Sequence, residues 1–257
     1  MKRLYITIFS AALLLITSCS DDNDNPSNGD NEPTTYKADA QDVGNGTAQA
    51  WLKVDADGMA EEFGITLSKA ALEGLPSDEM HYDYHLDLPT ADGEEILGIK
   101  SIHLDWNPQG HPPSPIYTIP HFDMHFYVIP ESTIENIGPA TTAPVDSKYM
   151  ADNYMLVDTA YIPKMGAHAV DTSSSEFHGK TFTHTYIYGY YDGEMAFLEP
   201  MVTRDYLMSE PNETADISVP DAFTFTGYLP QKISYKYNSE EESYKITLSD
   251  LKQVTAE

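Results

Sequence analysis

Thr183 to Tyr191 and Met195 to Leu198 are rich in β-branched and aromatic residues, and Asp192-Gly193 lies between them. Asp-Gly supplies the positive φ that a tight hairpin turn needs, so this stretch reads as two antiparallel strands. The pattern recurs along the chain. Ala50 to Val54 and Glu62 to Leu67 flank Asp55-Ala56-Asp57-Gly58; Ile233 to Tyr237 and Tyr244 to Leu248 flank residues 238–242. Tyr82 to Leu88, Ile99 to Trp106 and Tyr117 to Ile129 read as further strands. Helix is expected only at Lys69 to Glu73, Ser132 to Ile137 and around Val202 to Met208, and Pro139 to Pro163 reads as a long loop. Short strands separated by turn signals predict a mainly β fold: one β-sandwich or barrel-like domain with a few short helices.

Residues 46–257 hold that domain, and what precedes them is organised differently. Lys2 and Arg3 are followed by a mostly apolar run from Leu4 to Ile16, too short to span a bilayer and the right length for a signal-peptide core. Ile16-Thr17-Ser18-Cys19 closes it and resembles a lipobox, in which the cysteine is acylated and the chain is cut before it. Cys19 is the sole cysteine, so no internal disulfide explains it. Residues 1–18 are therefore read as a lipoprotein signal, with an ordinary secretory signal and an incidental cysteine as the alternative. Residues 19–45 are rich in Asp, Asn, Pro, Ser and Gly and read as a disordered acidic tether, because they cannot bury enough apolar surface to offset their ordering entropy. Ser20-Asp21-Asp22 resembles the acidic signal of lipoproteins displayed outward. The expected location is the cell envelope, lipid-anchored to the outer membrane.

The balance of charge narrows the partners. The chain has 14 Lys plus Arg against 41 Asp plus Glu, a net charge of −27. Such a surface repels nucleic acid and anionic headgroups, so neither DNA nor RNA is expected as a partner. A small molecule, a glycan or a protein remains open as ligand.

The chemistry concentrates in nine histidines. In Pro120-His121-Phe122-Asp123-Met124-His125-Phe126-Tyr127, strand alternation turns His121, Asp123 and His125 to one face and the apolar residues to the other. Two imidazoles and a carboxylate on one face make half of a metal site. His168, beyond Met165-Gly166, and Glu199, at the end of the apolar run Met195 to Leu198, are expected to complete it. His121, His125, His168 and Glu199 are thus the candidate ligands of a divalent transition metal such as zinc, iron or manganese, with Asp123 as a further ligand or a partner of one. The competing reading is a hydrogen-bonded polar network with no metal. His103, His111 and His184 are weaker candidates, and His81, His85 and His178 are read as surface.

Other signatures fail. Gly179-Lys180-Thr181 lacks the first glycine of a phosphate loop, Ser174 standing in its place. Asp55-Ala56-Asp57-Gly58 lacks the spacing of a calcium loop. No Gly-x-Ser-x-Gly elbow is present.

Several blocks together resemble one family. They are Asp105 to Pro113, Pro120 to Tyr127, Met165 to His168, Phe182 to Thr185 with Tyr188 to Gly193, and Glu199 to Arg204. In this order they are similar to the TTHB-type domain of unknown function, a family of exported bacterial proteins named after a Thermus member. The resemblance spans about Trp51 to Leu251 and implies that the His and Glu positions belong to the family pattern. Met124 stands where members often carry Phe, and Ala167 where they often carry a bulkier residue; neither removes a ligand. The family implies no reaction. Two functions stay open: a β-rich protein with a metal site, enzymatic or not, and a non-catalytic surface lipoprotein.

Overall fold

The computed structural model describes residues 32–139 and 143–257, without the side chains of residues 158–160. The signal, Cys19 and the first part of the tether lie outside the described residues. No helix among them is long and apolar enough to cross a membrane.

The chain forms two antiparallel seven-stranded sheets. Sheet one opens with β1 (Thr34–Lys37), β2 (Gln41–Val43), β3 (Gly46–Val54) and β4 (Ala60–Ser68). The chain then leaves to build all of sheet two: β5 (Tyr82–Leu86), β6 (Ser101–Asn107), β7 (His121–Tyr127), β8 (Tyr154–Ile162), β9 (Gly166–Asp171), β10 (His184–Tyr191) and β11 (Glu194–Thr203). It returns for β12 (Asn212–Asp216), β13 (Gly227–Asn238) and β14 (Ser243–Val254). Sheet one has the order β1-β3-β4-β14-β13-β12, with β2 also on β3; sheet two has the order β5-β6-β7-β11-β10-β9-β8. Two short helices, α1 (Glu131–Ile134) and α2 (Arg204–Met208), sit in connections.

The core lies between the sheets. Phe63 on β4 meets Phe126 on β7 edge-on, centroids 5.3 Å apart. Leu104, Trp106, Phe122, Met124, Leu198 and Val202 join them, all buried. Full burial of each such side chain contributes about 1.5–3 kcal/mol. Because the inner face of sheet two takes every second residue, the alternate residues of β5, β6 and β7 must point outward.

The expected hairpin at Asp192-Gly193 is present, both residues having positive φ, and β11 runs five residues past Leu198 to Thr203. Three expectations need correction. The span read as tether contains β1 and β2: Tyr36 pairs with Leu52 and Val43 with Gly46, because an edge strand needs only a half-apolar pattern to pair. The segment read as a long loop from Pro139 to Pro163 contains β8, one of the two outer strands of sheet two, paired with β9. The strand expected from Tyr117 begins only at His121. Before it the chain doubles back, the His111 N–H donating to the Tyr117 carbonyl at 2.9 Å. A Cβ on Gly110, at φ +66°, would lie 2.1 Å from that carbonyl oxygen, so glycine is required where this loop folds.

Candidate metal centre

The outward face of sheet two, opposite the core, carries ionisable side chains in register. Across β5, β6 and β7, His85 pairs with His103 and His103 with His125; Asp83 pairs with Asp105 and Asp105 with Asp123. The β6–β7 connection and the segments on either side of β8 cover this face. They enclose a cavity of about 380 Å³, polar on the β5–β7 side and apolar where Tyr117, Tyr127, Val157, Val170 and Ile187 line it.

His111, His121 and Asp123 form one group, offering one donor atom each within 4.8 Å of one another. His121 Nδ1 donates to the Ile119 carbonyl at 2.6 Å, and His111 Nδ1 donates to the Pro112 carbonyl at 2.6 Å. A carbonyl can only accept, so Nδ1 carries the proton in both rings, and Nε2 is a lone pair when the ring is neutral and a second N–H when it is charged. Both Nε2 atoms face the same carboxylate, His111 at 3.0 Å from Asp123 Oδ2 and His121 at 3.2 Å from Oδ1. Asn107 Nδ2 donates to Asp123 Oδ2 at 2.8 Å and holds it in place. Burial alone would raise the Asp123 carboxyl, but His121 and His111 outweigh it and hold it well below the carboxylate range.

His125, His168 and Glu199 form a second group of the same span. His125 Nδ1 lies 2.9 Å from Asp105 Oδ2, and its Nε2 points to Glu199 Oε1 at 3.4 Å. His168 Nε2 reaches Glu199 Oε2 at 3.8 Å. Burial pushes the Glu199 carboxyl well above its usual range, and Asp123 and Asp105 push it further. His81 Nε2 also lies 3.0 Å from Asp105 Oδ1, and that carboxylate raises the imidazole to about 9 against the effect of burial.

Local structure explains the placement. Pairing of β7 with β11 runs through Phe197–Tyr127 and Leu198–Phe126 and resumes at Met201–Asp123. The gap falls at Glu199 and Pro200, opposite His125, and proline has no N–H to give the ladder. His168 on β9 sits beside Gly189 on β10. Gly189 has no side chain, and the Phe197 ring fills that space: an added Cβ would lie 2.1 Å from its carbons. The ring then packs edge-on against both His125 and His168, at 4.8 and 5.2 Å. Gly166, at φ +99°, lets the start of β9 approach the Tyr190 carbonyl, where a Cβ would come within 2.4 Å.

A third group, Asp83, His85 and His103, lies at the exposed edge of the same face. Among the described residues, twelve buried side-chain nitrogen or oxygen atoms lack a hydrogen bond, and eight belong to His103, Asp105, His121, Asp123, His125 and Glu199. Buried polar atoms are rarely left so, and a cluster of acceptors and imidazole nitrogens in this state fits a divalent cation.

Of the four expected ligands, the structure brings His125, His168 and Glu199 together and places His121 with Asp123 instead. His121 and His125 are four residues apart on one strand, about 13 Å at 3.3 Å per residue, and one ion with bonds near 2 Å does not bridge that. Sequence reading also missed His111 as a direct partner, Asp105 and Asn107 as supports, and the edge group. The signal was present: Ser101-Ile102-His103-Leu104-Asp105-Trp106-Asn107 alternates as β7 does. His184 lies elsewhere, against Tyr206 and Tyr235, and burial holds its imidazole below the ordinary value.

Comparison of the chain with protein-family models, with curated proteins and with solved structures returns no match, and what this face can do is read from its own geometry.

Proposed function

We propose that the chain is an exported, lipid-anchored metalloprotein. In this reading His125, His168 and Glu199, and beside them His111, His121 and Asp123, hold divalent transition-metal ions, and a small organic molecule docks over them in the cavity. The observation that carries it is the pair of pinned tautomers: His111 and His121 each give Nδ1–H to a backbone carbonyl and turn Nε2 on one buried carboxylate. Two lone pairs facing a carboxylate repel it, so the arrangement calls either for a second proton on each ring or for a cation among the three groups, and one divalent cation satisfies all three at once. Outer partners that fix the ring orientation in this way are the habit of metal-binding histidines. In the second group a carboxylate stands in that outer place, Asp105 Oδ2 lying 2.9 Å from His125 Nδ1.

Each group is two imidazoles and one carboxylate, a donor set that suits zinc, iron(II) or manganese and leaves coordination positions open. A bound ion there supplies Lewis acidity and draws the pKa of a coordinated water toward neutrality. The chain's own residues do the rest. Tyr117, Tyr127 and Ile187 exclude water from the floor, and the apolar wall accepts the nonpolar part of a ligand. Lys164 and His81, which line the cavity, are engaged by Glu135 at 2.9 Å and by Asp105 at 3.0 Å, so the site favours uncharged molecules over phosphate or carboxylate anions until metal is bound. Kinship with the TTHB-type family is part of the proposal and rests on the order of the sequence blocks.

Elemental analysis after purification, followed by chelation and titration with Zn²⁺, tests the reading. The expected result is at least one tightly held equivalent and a melting temperature that rises with added metal. At a free-ion concentration one hundred times Kd the gain is about 2.7 kcal/mol. A protein that holds no zinc, iron or manganese and melts identically with and without them overturns the proposal, and leaves a non-catalytic lipoprotein binding a glycan or a protein partner.

A further inference from the structure

The outward face of sheet two presents its imidazoles as a row rather than a cluster. His85, His103 and His125 are paired directly across three neighbouring strands, from the sheet edge toward its centre. Neighbouring strands lie about 4.8 Å apart, so each step moves a donor by one strand spacing. Exposure falls steeply along the row: the three side chains are 60%, 9% and 1% exposed. The carboxylates Asp83, Asp105 and Asp123 form a parallel row one step along the strands.

The outer end of these rows has ligand geometry of its own. Asp83 Oδ2 lies 3.0 Å from His85 Nε2 and 3.5 Å from His103 Nδ1. The two rings are tilted by 34° with centroids 3.9 Å apart, and both imidazoles reach one carboxylate. On the inner side, His103 Nε2 is buried without a hydrogen bond, and Glu131 Oε2, at the start of α1, stands 3.5 Å away. The outer two residues of the group reach solvent and His103 does not, so an ion held there could exchange with solvent on one side and with the interior on the other.

We propose that Asp83, His85 and His103 form a separate, exchangeable site for a divalent transition metal, which delivers ions along the imidazole row to the His125 group. The edge site stands on its own geometry; the delivery step rests on the metal reading of the buried groups. Exposed donors exchange ligands with water readily, and the edge group and the His125 group line the same cavity, so an ion can pass from one to the other while staying coordinated. The row gives that path: a donor on each strand, with a carboxylate beside each imidazole to offset the ion's charge.

The test uses the full chain, stripped by a chelator and reloaded with Co²⁺, with stoichiometry by equilibrium dialysis and uptake followed by the visible absorbance of the bound ion. His85→Gln, at the most exposed position, and the double variant Asp83→Asn/His85→Gln are compared with the parent, the melting of each metal-free protein serving as the control for folding. The expected result is one weakly held equivalent fewer in the variants, unchanged occupancy of the tight equivalents at saturation, and filling of those equivalents at least tenfold slower when Co²⁺ is limiting. Equal stoichiometry in parent and variants overturns the edge site. A lost weak equivalent with unchanged filling rate overturns the delivery step. The two readings fail distinguishably: a parent with no tight equivalents at all sinks the metal reading of the buried groups, whereas tight equivalents indifferent to His85 and Asp83 sink only this one.

Discussion

Glu199 is the residue on which opposing forces are most evenly set. Its carboxylate is buried, beside the charged Asp123 and Asp105, and no lysine or arginine forms an ion pair with it among the described residues. Burial and those neighbours push the carboxyl toward its protonated form. Its folded-state pKa is raised above the ordinary value of about 4.5, so its contribution to stability is complete below that value and is lost as pH rises through the folded pKa. Glu199→Gln keeps the shape and removes the charge. At neutral pH we expect the metal-free variant to be more stable than the parent by about 1–3 kcal/mol, the scale of a buried polar group left unsatisfied. Denaturant melts at pH 4 and pH 7.5 check the sign, since the advantage should shrink at the acid end. Metal affinity should move the other way, falling by more than the roughly 10- to 100-fold that loss of a supporting partner costs. A variant less stable than the parent at neutral pH, with metal binding intact, would mean that Glu199 is an ordinary hydrogen-bonded core carboxylate.

At the scale of the strand, the β10–β11 hairpin does more than close the sheet. The bare Gly189 lets the Phe197 ring lie across it, wedged against the two imidazoles of one group. Gly189→Ala puts a methyl into the ring; overpacking of this kind costs about 1–3 kcal/mol. A denaturant melt should show that loss, and metal affinity should fall with it; Phe197→Leu in the same chain should restore part of both. A Gly189→Ala protein with unaltered melting would show that the ring can move freely, and the wedge would be no wedge. This scale also shows how much could be read in advance. The outward row on β7 was legible because alternation of polar and apolar residues is a local property of the chain. Alternation in β5 and β6 is equally local, and carrying the same reading to them finds Asp83, His85, His103 and Asp105. What sequence did not contain is which row meets which. Glu199 faces His125 only because β11 returns beside β7 from sixty-odd residues away, in a register fixed by core packing on the opposite face. His168 arrives through β9 and β10, two further pairings that no spacing encodes. The division of one expected quartet into two groups is a fact about register.

For the molecule as a whole, the envelope location and the metal face are separable claims. If Cys19 carries the lipid, Cys19→Ala should leave the membrane fraction or accumulate with its signal uncut, while the metal content of the folded protein stays that of the parent. Fractionation with blotting, beside elemental analysis of the same preparations, reads both. A variant that stays in the membrane with a mature N-terminus would remove the lipid anchor and leave the metal face untouched. The nesting of one sheet inside the other has a consequence of a different kind, in time rather than in space. β4 pairs with β14, Phe63 against Leu248 and Ile65 against Ile246, so its second edge has no partner until almost the last residues of the chain are made. Sheet two is complete in sequence before that. Pairings so far apart are slow to form, because the loop entropy is lost before the contact is gained. Through synthesis the apolar edge of β4 therefore waits open, the kind of edge that recruits other chains. A chain ending before Ser243 should accumulate as aggregate even though every histidine and carboxylate of the three groups is present, and the outward face of sheet two would then depend, for its existence in the cell, on a strand that contributes no residue to it.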